Sequence, residues 1–579
     1  MTTNALLQIT LYFFVLLILI KPLGWYMAQV YQGKSCGLNV VLGPIERGLY
    51  RVCGIPANQE MGWKQYLTAM LLFNLLGFLA VYVVQRLQAY LPLNPQHFPA
   101  VPATLAFNTA VSFSTNTNWQ AYAGETTLSY FTQMTALTVQ QFLSAATGMS
   151  LLIAFIRGLA RRETEQLGNF WVDTVRGVLY ILLPLSLLLS VFLVSEGVIQ
   201  NFKAYQTISL VQSSADITKQ TIPMGPVASQ VAIKALGSNG GGFFNTNAAH
   251  PFENPTPLTN FFEMLAILMI PAALCYTFGI LVNDKRQGWA VLIAMLVLLL
   301  PFVGLAEIAE QQGNPMFTNL GVDQQVQTEA AGGNMEGKET RFGIVNSALW
   351  ATLTTASSNG SVNAMLDSFT PLGGLVPLWL MHLGEVVFGG VGSGLYGMLI
   401  VVMTTVFLAG LMVGRTPEYL GKKIEPYEIK MIAMVVLISP VMILLMTAFA
   451  VVTPLGIRSL GNPGAHGLSE ILYAFSSMVS NNGSAFAGLN ANTPFYNILG
   501  GIAMWIGRYW IAIPILAIAG SLAKKKLIPS SSGTLATHTP LFIMLLIGVI
   551  ILLGAVSFLP VLALGPIAEH LILGGHHGL

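Results

Sequence analysis

Charge is scarce in this sequence. Asp, Glu, Lys and Arg make up 9% of its 579 residues, against about 25% in ordinary soluble domains. Hydrophobic residues make up 54% and the mean hydropathy is +0.67, so the composition is that of a membrane-embedded chain. The few charges nearly cancel, leaving a formal net charge of +2, and the basic residues lie in short clusters between apolar runs. No basic face is available for nucleic acid, which is therefore not an expected partner. The three cysteines, Cys36, Cys53 and Cys275, show no CxxC or Cys/His spacing, which argues against a disulfide framework or a zinc site. Nucleotide chemistry is also missing. The nearest approach to a P-loop is Gly33-Lys34-Ser35, with Ala28 where the motif requires glycine, and no Asp-Lys-Thr-Gly phosphorylation motif occurs. No ATP site is expected in this chain, so any energy it uses comes from a partner or from an ion gradient.

What the sequence does have is a series of apolar runs. A membrane core of ~30 Å takes about 20 helical residues, and runs of that length start near Ala5, Leu67, Val139, Gly177, Phe261, Trp289, Val376, Ile429, Ile498 and Leu541. The first run, Ala5 to Ile20, has no preceding basic residue and no small-residue cleavage site, and Lys21 follows it. It reads as an uncleaved span with its N-terminus outside. In that orientation eighteen of the 26 basic residues fall on the cytoplasmic side, seven fall outside, and Arg508 lies within a span. This is the positive-inside asymmetry, and the opposite orientation breaks it.

The outside segments hold a second kind of element: apolar stretches too short to span, each ending in small and hydroxyl residues around an asparagine. The endings are Ser114-Thr115-Asn116-Thr117-Asn118, Gly237-Ser238-Asn239-Gly240-Gly241-Gly242, Ser357-Ser358-Asn359-Gly360-Ser361 and Ser480-Asn481-Asn482-Gly483-Ser484. Aligned on Asn116, Asn239, Asn359 and Asn482 they recur after 123, 120 and 123 residues. Singly, each is an ordinary turn signal; four at even spacing imply one unit repeated four times. The expected fold is an all-α integral membrane protein of ten transmembrane helices. Four parallel helix–pore loop–helix repeats surround a pseudo-fourfold axis, with the first and last spans outside the ring. The single membrane domain, 1–579, divides into a first span and cytoplasmic loop (1–64), repeats at 65–160, 175–283, 288–414 and 429–522, and a last span with tail (540–579).

Irregular backbone at membrane depth survives only where protein or a watery cavity satisfies it, so four converging loops imply a pore mouth. Backbone carbonyls replace the hydration shell of a monovalent cation without adding fixed charge. Glycine lets those carbonyls be aimed, and Ser and Thr add oxygens. None of the four motifs holds an acidic residue, which disfavours a calcium or magnesium cage. On this alignment Thr117 stands where the other loops have Gly240, Gly360 and Gly483.

These loops, within FNTAVSFSTNTNWQ (Phe107 to Gln120), GSNGGGFFNTNAAHPFENP (Gly237 to Pro255), TASSNGSVNAM (Thr355 to Met365) and SNNGSAFAGL (Ser480 to Leu489), closely resemble the potassium-binding A subunits of the Kdp potassium-transporting P-type ATPases. The resemblance runs over essentially the whole chain, and that family likewise lacks glycine in its first loop. It implies a member of the potassium-transporter superfamily with potassium as the transported ligand, seated in a bacterial inner membrane beside an ATPase B subunit, a C subunit and a small F subunit. The filter it implies comprises Thr115, Asn116, Thr117, Asn239, Gly240, Gly241, Asn359, Gly360, Asn482 and Gly483, with Gln120 behind it. The runner-up reading is a self-sufficient, potential-driven potassium transporter or channel of the same superfamily.

Below the filter, Gly374 to Val413 is about twice as long as one crossing needs. A break is expected at Leu383 to Gly397, where six glycines weaken a helix by about 1 kcal/mol each. Glu385 heads this window. It reads either as a functional carboxylate or as a structural partner of Arg508 or another buried donor. The resemblance makes Glu385, Gly389, Gly390 and Arg508 a gate and tunnel. His382 reads as a satisfied interior histidine, His576-His577 as a tail, and Arg415 to Glu425 as a solvated helix or a docking surface.

Overall fold

The structure is a computed structural model that describes residues 2–35, 37–213, 217–327, 332–412, 414, 416–529 and 535–575. Cys36, Arg415 and His576-His577 lie outside them. Within a bilayer only continuous helices satisfy their own backbone polar groups. Ten helices among the described residues are long and apolar enough to cross: Thr3–Tyr31, Trp63–Tyr90, Thr132–Ala160, Phe170–Ser195, Pro257–Leu281, Lys285–Thr318, Ser393–Met412, Pro426–Val452, Pro494–Lys524 and Pro540–Gly574. The protein is thus a multi-pass membrane protein.

Between the paired spans lie four shorter helices, Ala103–Ser114, Val227–Leu236, Gly343–Ala356 and Gly464–Ser480, each running directly into one of the asparagine-containing loops. Thr-Pro opens the helices that follow the second, third and fourth loops and also the last span. Thr256, Thr370, Thr493 and Thr539 accept a bond from a first-turn N–H, and the proline that follows supplies a preset φ where no N–H is needed.

Burial shows which spans are central. In each repeat the span after the loop is more buried than the span before it: 83% against 22%, 83% against 39%, 56% against 50% and 67% against 22%. The post-loop spans therefore line the axis and their partners face lipid. They pack closely where side chains are smallest, as where Gly158 of the first repeat meets Ala519 of the fourth. The first span packs on Pro257–Leu281 and the last on the sixth and seventh spans, so both lie outside the ring, as expected.

The seventh crossing is broken. Pro371–His382 forms one half, Ser393–Met412 the other, and 383–392 is non-helical. The described part of the Arg415–Glu425 stretch differs from the solvated helix expected of it: Glu418–Tyr419 pairs with Lys422–Lys423 in a small hairpin. The reason lies in Lys422, whose buried Nζ donates to Gly158 O and Leu522 O, at 2.7 Å each, and to Arg161 O. Helix C-termini leave carbonyls without partners, and one ammonium here serves the ends of the third and ninth spans. Burial pushes Lys422 down to about 8.

Candidate functional site: four loops and a broken helix

Each short helix ends in the same way. The residue after its C-cap region turns left-handed: Asn116 (φ +65°), Ser238 (+48°), Ser358 (+52°) and Asn481 (+58°). The next residue returns its N–H to the carbonyl five positions back: Thr117 to Ser112, Asn239 to Lys234, Asn359 to Thr354 and Asn482 to Ser477. These bonds fix the correspondence between loops and correct the sequence alignment by one residue. Thr117, not Asn116, stands with Asn239, Asn359 and Asn482. Asn118, not Thr117, stands with Gly240, Gly360 and Gly483. Alignment on the asparagines misleads because Asn118 adopts φ +56°, a conformation that asparagine tolerates better than most residues. Its signal was the residue type: apart from glycine, Asn is the natural occupant of such a position. Asn118 is buried, and neither amide atom has a partner among the described residues.

The loops close on one another in cyclic order. A Cβ on Gly240 would stand 3.0 Å from Asn359 O. One on Gly360 would strike Asn482 O, and one on Gly483 would strike Thr117 O. One on Gly241 would lie 3.3 Å from Asn118 O. Side chains stitch the same seams. Asn239 Nδ2 donates to Asn116 Oδ1 at 2.5 Å, Asn359 Nδ2 to Lys234 O at 3.3 Å, Asn482 Nδ2 to Thr355 O at 3.5 Å, Ser358 Oγ to Asn481 O at 3.1 Å and Asn481 Nδ2 to Thr117 Oγ1 at 2.8 Å. In the third and fourth loops the asparagine Oδ1 also accepts from the N–H of the serine two residues on, at 3.0 and 3.2 Å. The asparagine side chains thus brace the loops. Thr115 does likewise, its hydroxyl meeting Thr117 Oγ1 at 2.8 Å.

The main-chain oxygens are treated differently. Among the described residues, the carbonyls of Thr117, Asn239, Asn359 and Asn482, and those of Asn118, Gly360 and Gly483, accept no hydrogen bond. Buried carbonyls are normally paired, so this is a concentrated exception. Gly240 O differs, accepting from Asn247 Nδ2 at 2.6 Å. Gly241 O accepts from Gln141 Nε2 at 2.6 Å, and Gln120 clamps Gly242 through its N–H and its carbonyl at 3.0 and 3.2 Å. Gln120 therefore sits behind the second loop. Asn247, Gln141 and Lys234 were not singled out from the sequence, because a polar residue behind a loop has no local pattern. The C-terminal ends of the four short helices, with their negative dipole ends, abut this ring, an arrangement that favours a cation.

Beneath it, Glu385 Oε1 accepts from Asn482 Nδ2 at 2.8 Å, so the acidic residue is bonded to the fourth loop itself. No ion pair joins Glu385 to Arg508 among the described residues. Both line a cavity of about 130 Å³ together with His382, Ser393, Tyr396 and Asn481. His382 Nε2 meets Ser476 Oγ at 2.8 Å and its ring stacks on Phe558, but Nδ1 has no partner among the described residues, so the satisfied interior histidine expected from the sequence is satisfied at one nitrogen and not at the other. Gly389 and Gly390 sit apart from that lining. Gly389 N–H donates to Ala356 O, the end of the third short helix, and Gly390 lies against Ser358. Glu385 (φ +50°) and Phe388 (φ +69°) hold left-handed backbone without being glycine, a strain of about 1–3 kcal/mol each that tends to gather at functional sites.

Fold and site together define the class: a four-repeat membrane protein with a closed ring of pore loops above a broken helix. Residues 10–571 match the family model described as the potassium-transporting ATPase A subunit, and the chain belongs to that family. It is 64% identical to a potassium-transporting ATPase potassium-binding subunit from Herpetosiphon aurantiacus, over 99% of this chain and 100% of that one. A protein of the same description from Sorangium cellulosum is 62% identical over 99% of each. Among solved structures, the potassium transporter TrkH from Vibrio parahaemolyticus shares the fold, with a TM-score of 0.50 and 13% identity over 88% of this chain and 97% of TrkH.

Proposed function

We propose that this chain is the potassium-selecting subunit of an ATP-driven uptake complex. The ion binds from outside in the ring formed by residues 115–118, 239–241, 359–360 and 482–483, and leaves through the cavity holding Glu385 and Arg508 toward a neighbouring ATPase subunit. Transport in this reading takes place in a bacterial inner membrane, with the N-terminus outside and B, C and F subunits completing the machine. The observation that carries it is the closed ring of loops in which the carbonyls of Thr117, Asn118, Asn239, Asn359, Gly360, Asn482 and Gly483 have no donor among the described residues. Such oxygens suit a dehydrated monovalent cation, and the absence of carboxylates on the loops keeps the ion from being held too tightly. The close relatives' shared description as potassium-binding subunits of an ATPase supports the same reading.

Reconstitution tests it against the potential-driven alternative. Vesicles holding this chain alone are expected to show negligible potassium flux, and vesicles holding it with the phosphorylatable ATPase subunit are expected to show ATP-dependent uptake. Robust flux from the lone chain without ATP would favour the self-sufficient transporter instead.

A further inference from the structure

Among the described residues seven of the eight carbonyls at the two ring positions accept no hydrogen bond, and the eighth, that of Gly240, is tied from behind by Asn247. Asn247 is itself fixed. Its Oδ1 accepts from Lys234 Nζ at 2.6 Å, and Lys234 forms an ion pair with Glu253. Glu253 is anchored in turn, its Oε1 accepting from Phe244 N–H at 2.9 Å. Lys234 and Glu253 are fully buried, and Asn247 nearly so. Lys234 lies in the last turn of the second short helix, where an ammonium also complements the helix dipole. A buried ion pair is costly to build, and a single turn of loop does not require one. Among the described residues the carbonyls of the corresponding glycines, Gly360 and Gly483, have no such tie, and no ion pair stands behind them.

We infer that Asn247, oriented by the Lys234–Glu253 pair, is a specificity-determining positioning residue: by gripping the Gly240 carbonyl it makes the second loop the rigid quadrant of the ring. The inference rests on the ring being the potassium site. With Lys234 occupying its carbonyl oxygen, the Asn247 amide has one orientation, NH₂ toward Gly240, and cannot flip. A carbonyl held at one distance discriminates between ions of different radius. A carbonyl free to follow the ion does so less.

The experiment uses the complete ATPase complex and measures potassium- and rubidium-stimulated ATP hydrolysis. Asn247→Ala and the near-isosteric Asn247→Asp are both made, since the carboxylate keeps the shape and the Lys234 contact but has no N–H for Gly240. The expected result is that the KM ratio of rubidium to potassium moves by roughly three- to tenfold, the worth of one hydrogen bond, while the rate at saturating potassium is retained. Asn247→Asp carries the test if Asn247→Ala does not fold. An unchanged ratio in a folded Asn247 variant overturns the proposal. Gly483→Ala in parallel separates the two levels. If it weakens potassium stimulation while Asn247 variants leave the ratio alone, the ring reading stands and this inference falls. If neither variant matters, the ring reading falls with it.

Discussion

Gly483 holds its backbone at φ +98° and Gly360 at +87°, and a Cβ on either would strike a carbonyl of the next loop. Alanine at these positions has both a strained backbone and no space. Strain of about 1–3 kcal/mol corresponds to a loss of roughly ten- to a hundredfold in apparent potassium affinity; a titration of potassium-stimulated ATP hydrolysis reads it, and unchanged affinity in both variants would contradict the ring assignment. Glu385 gives a different expectation. Glu385→Gln keeps an oxygen for Asn482 Nδ2 and removes the ionisable carboxyl from the cavity wall, so transport rate is expected to fall while potassium-dependent stabilisation persists. A variant that instead fails to fold would mark the carboxylate as structural. At this scale the sequence was legible where residue type and conformation coincide, as at Gly360 and Gly483. It was illegible at Asn118, where an asparagine does a glycine's conformational work and shifts the apparent register by one residue.

The broken helix was legible at the scale of elements because its physics is local: a length of about two crossings cannot lie straight in one bilayer, and clustered glycines locate the interruption. What the glycines do there was not legible. They are packed, with Gly394 against Phe388 O and Gly392 against Gly148 O of the third span, so the break is a fitted segment and not a loose hinge. Gly394→Val is therefore expected to lower the thermal unfolding midpoint, and an unaltered midpoint would show that the segment tolerates rearrangement. Another element-level link ties the end of the last span to the fourth short helix. His466 bonds Glu569 Oε1 through Nδ1 at 2.9 Å and Asp367 Oδ1 through Nε2 at 3.2 Å. Burial acts to lower its pKa from 6.5, but the bonds and charges of Asp367 and Glu569 outweigh that and raise it to about 10. A group whose folded pKa is raised stabilises fully below its unfolded value and loses that contribution as pH climbs through its folded one. The midpoint difference between the parent and His466→Gln is thus expected to be largest below pH 6.5 and to shrink toward pH 10. A difference independent of pH would remove the charged histidine from the account.

At the scale of the whole molecule, hydropathy and the recurrence of the loop motif were enough to anticipate ten spans, four parallel repeats and the two spans outside the ring. Lipid imposes that simplicity, since every span must satisfy its own backbone. The seams between repeats were not legible, because Asn481 with Thr117 and Ser358 with Asn481 are separated by 364 and 123 residues. Those seams create a structure that no repeat has alone, a closed ring of carbonyls of which all but that of Gly240 lack a donor among the described residues. The most direct test is the unfolding midpoint of the purified full-length chain, titrated with potassium and with sodium at constant ionic strength. Potassium is expected to raise the midpoint progressively, adding about 2.7 kcal/mol of stability at roughly a hundred times its dissociation constant, with little response to sodium. Equal responses to the two ions would contradict a potassium-selective ring.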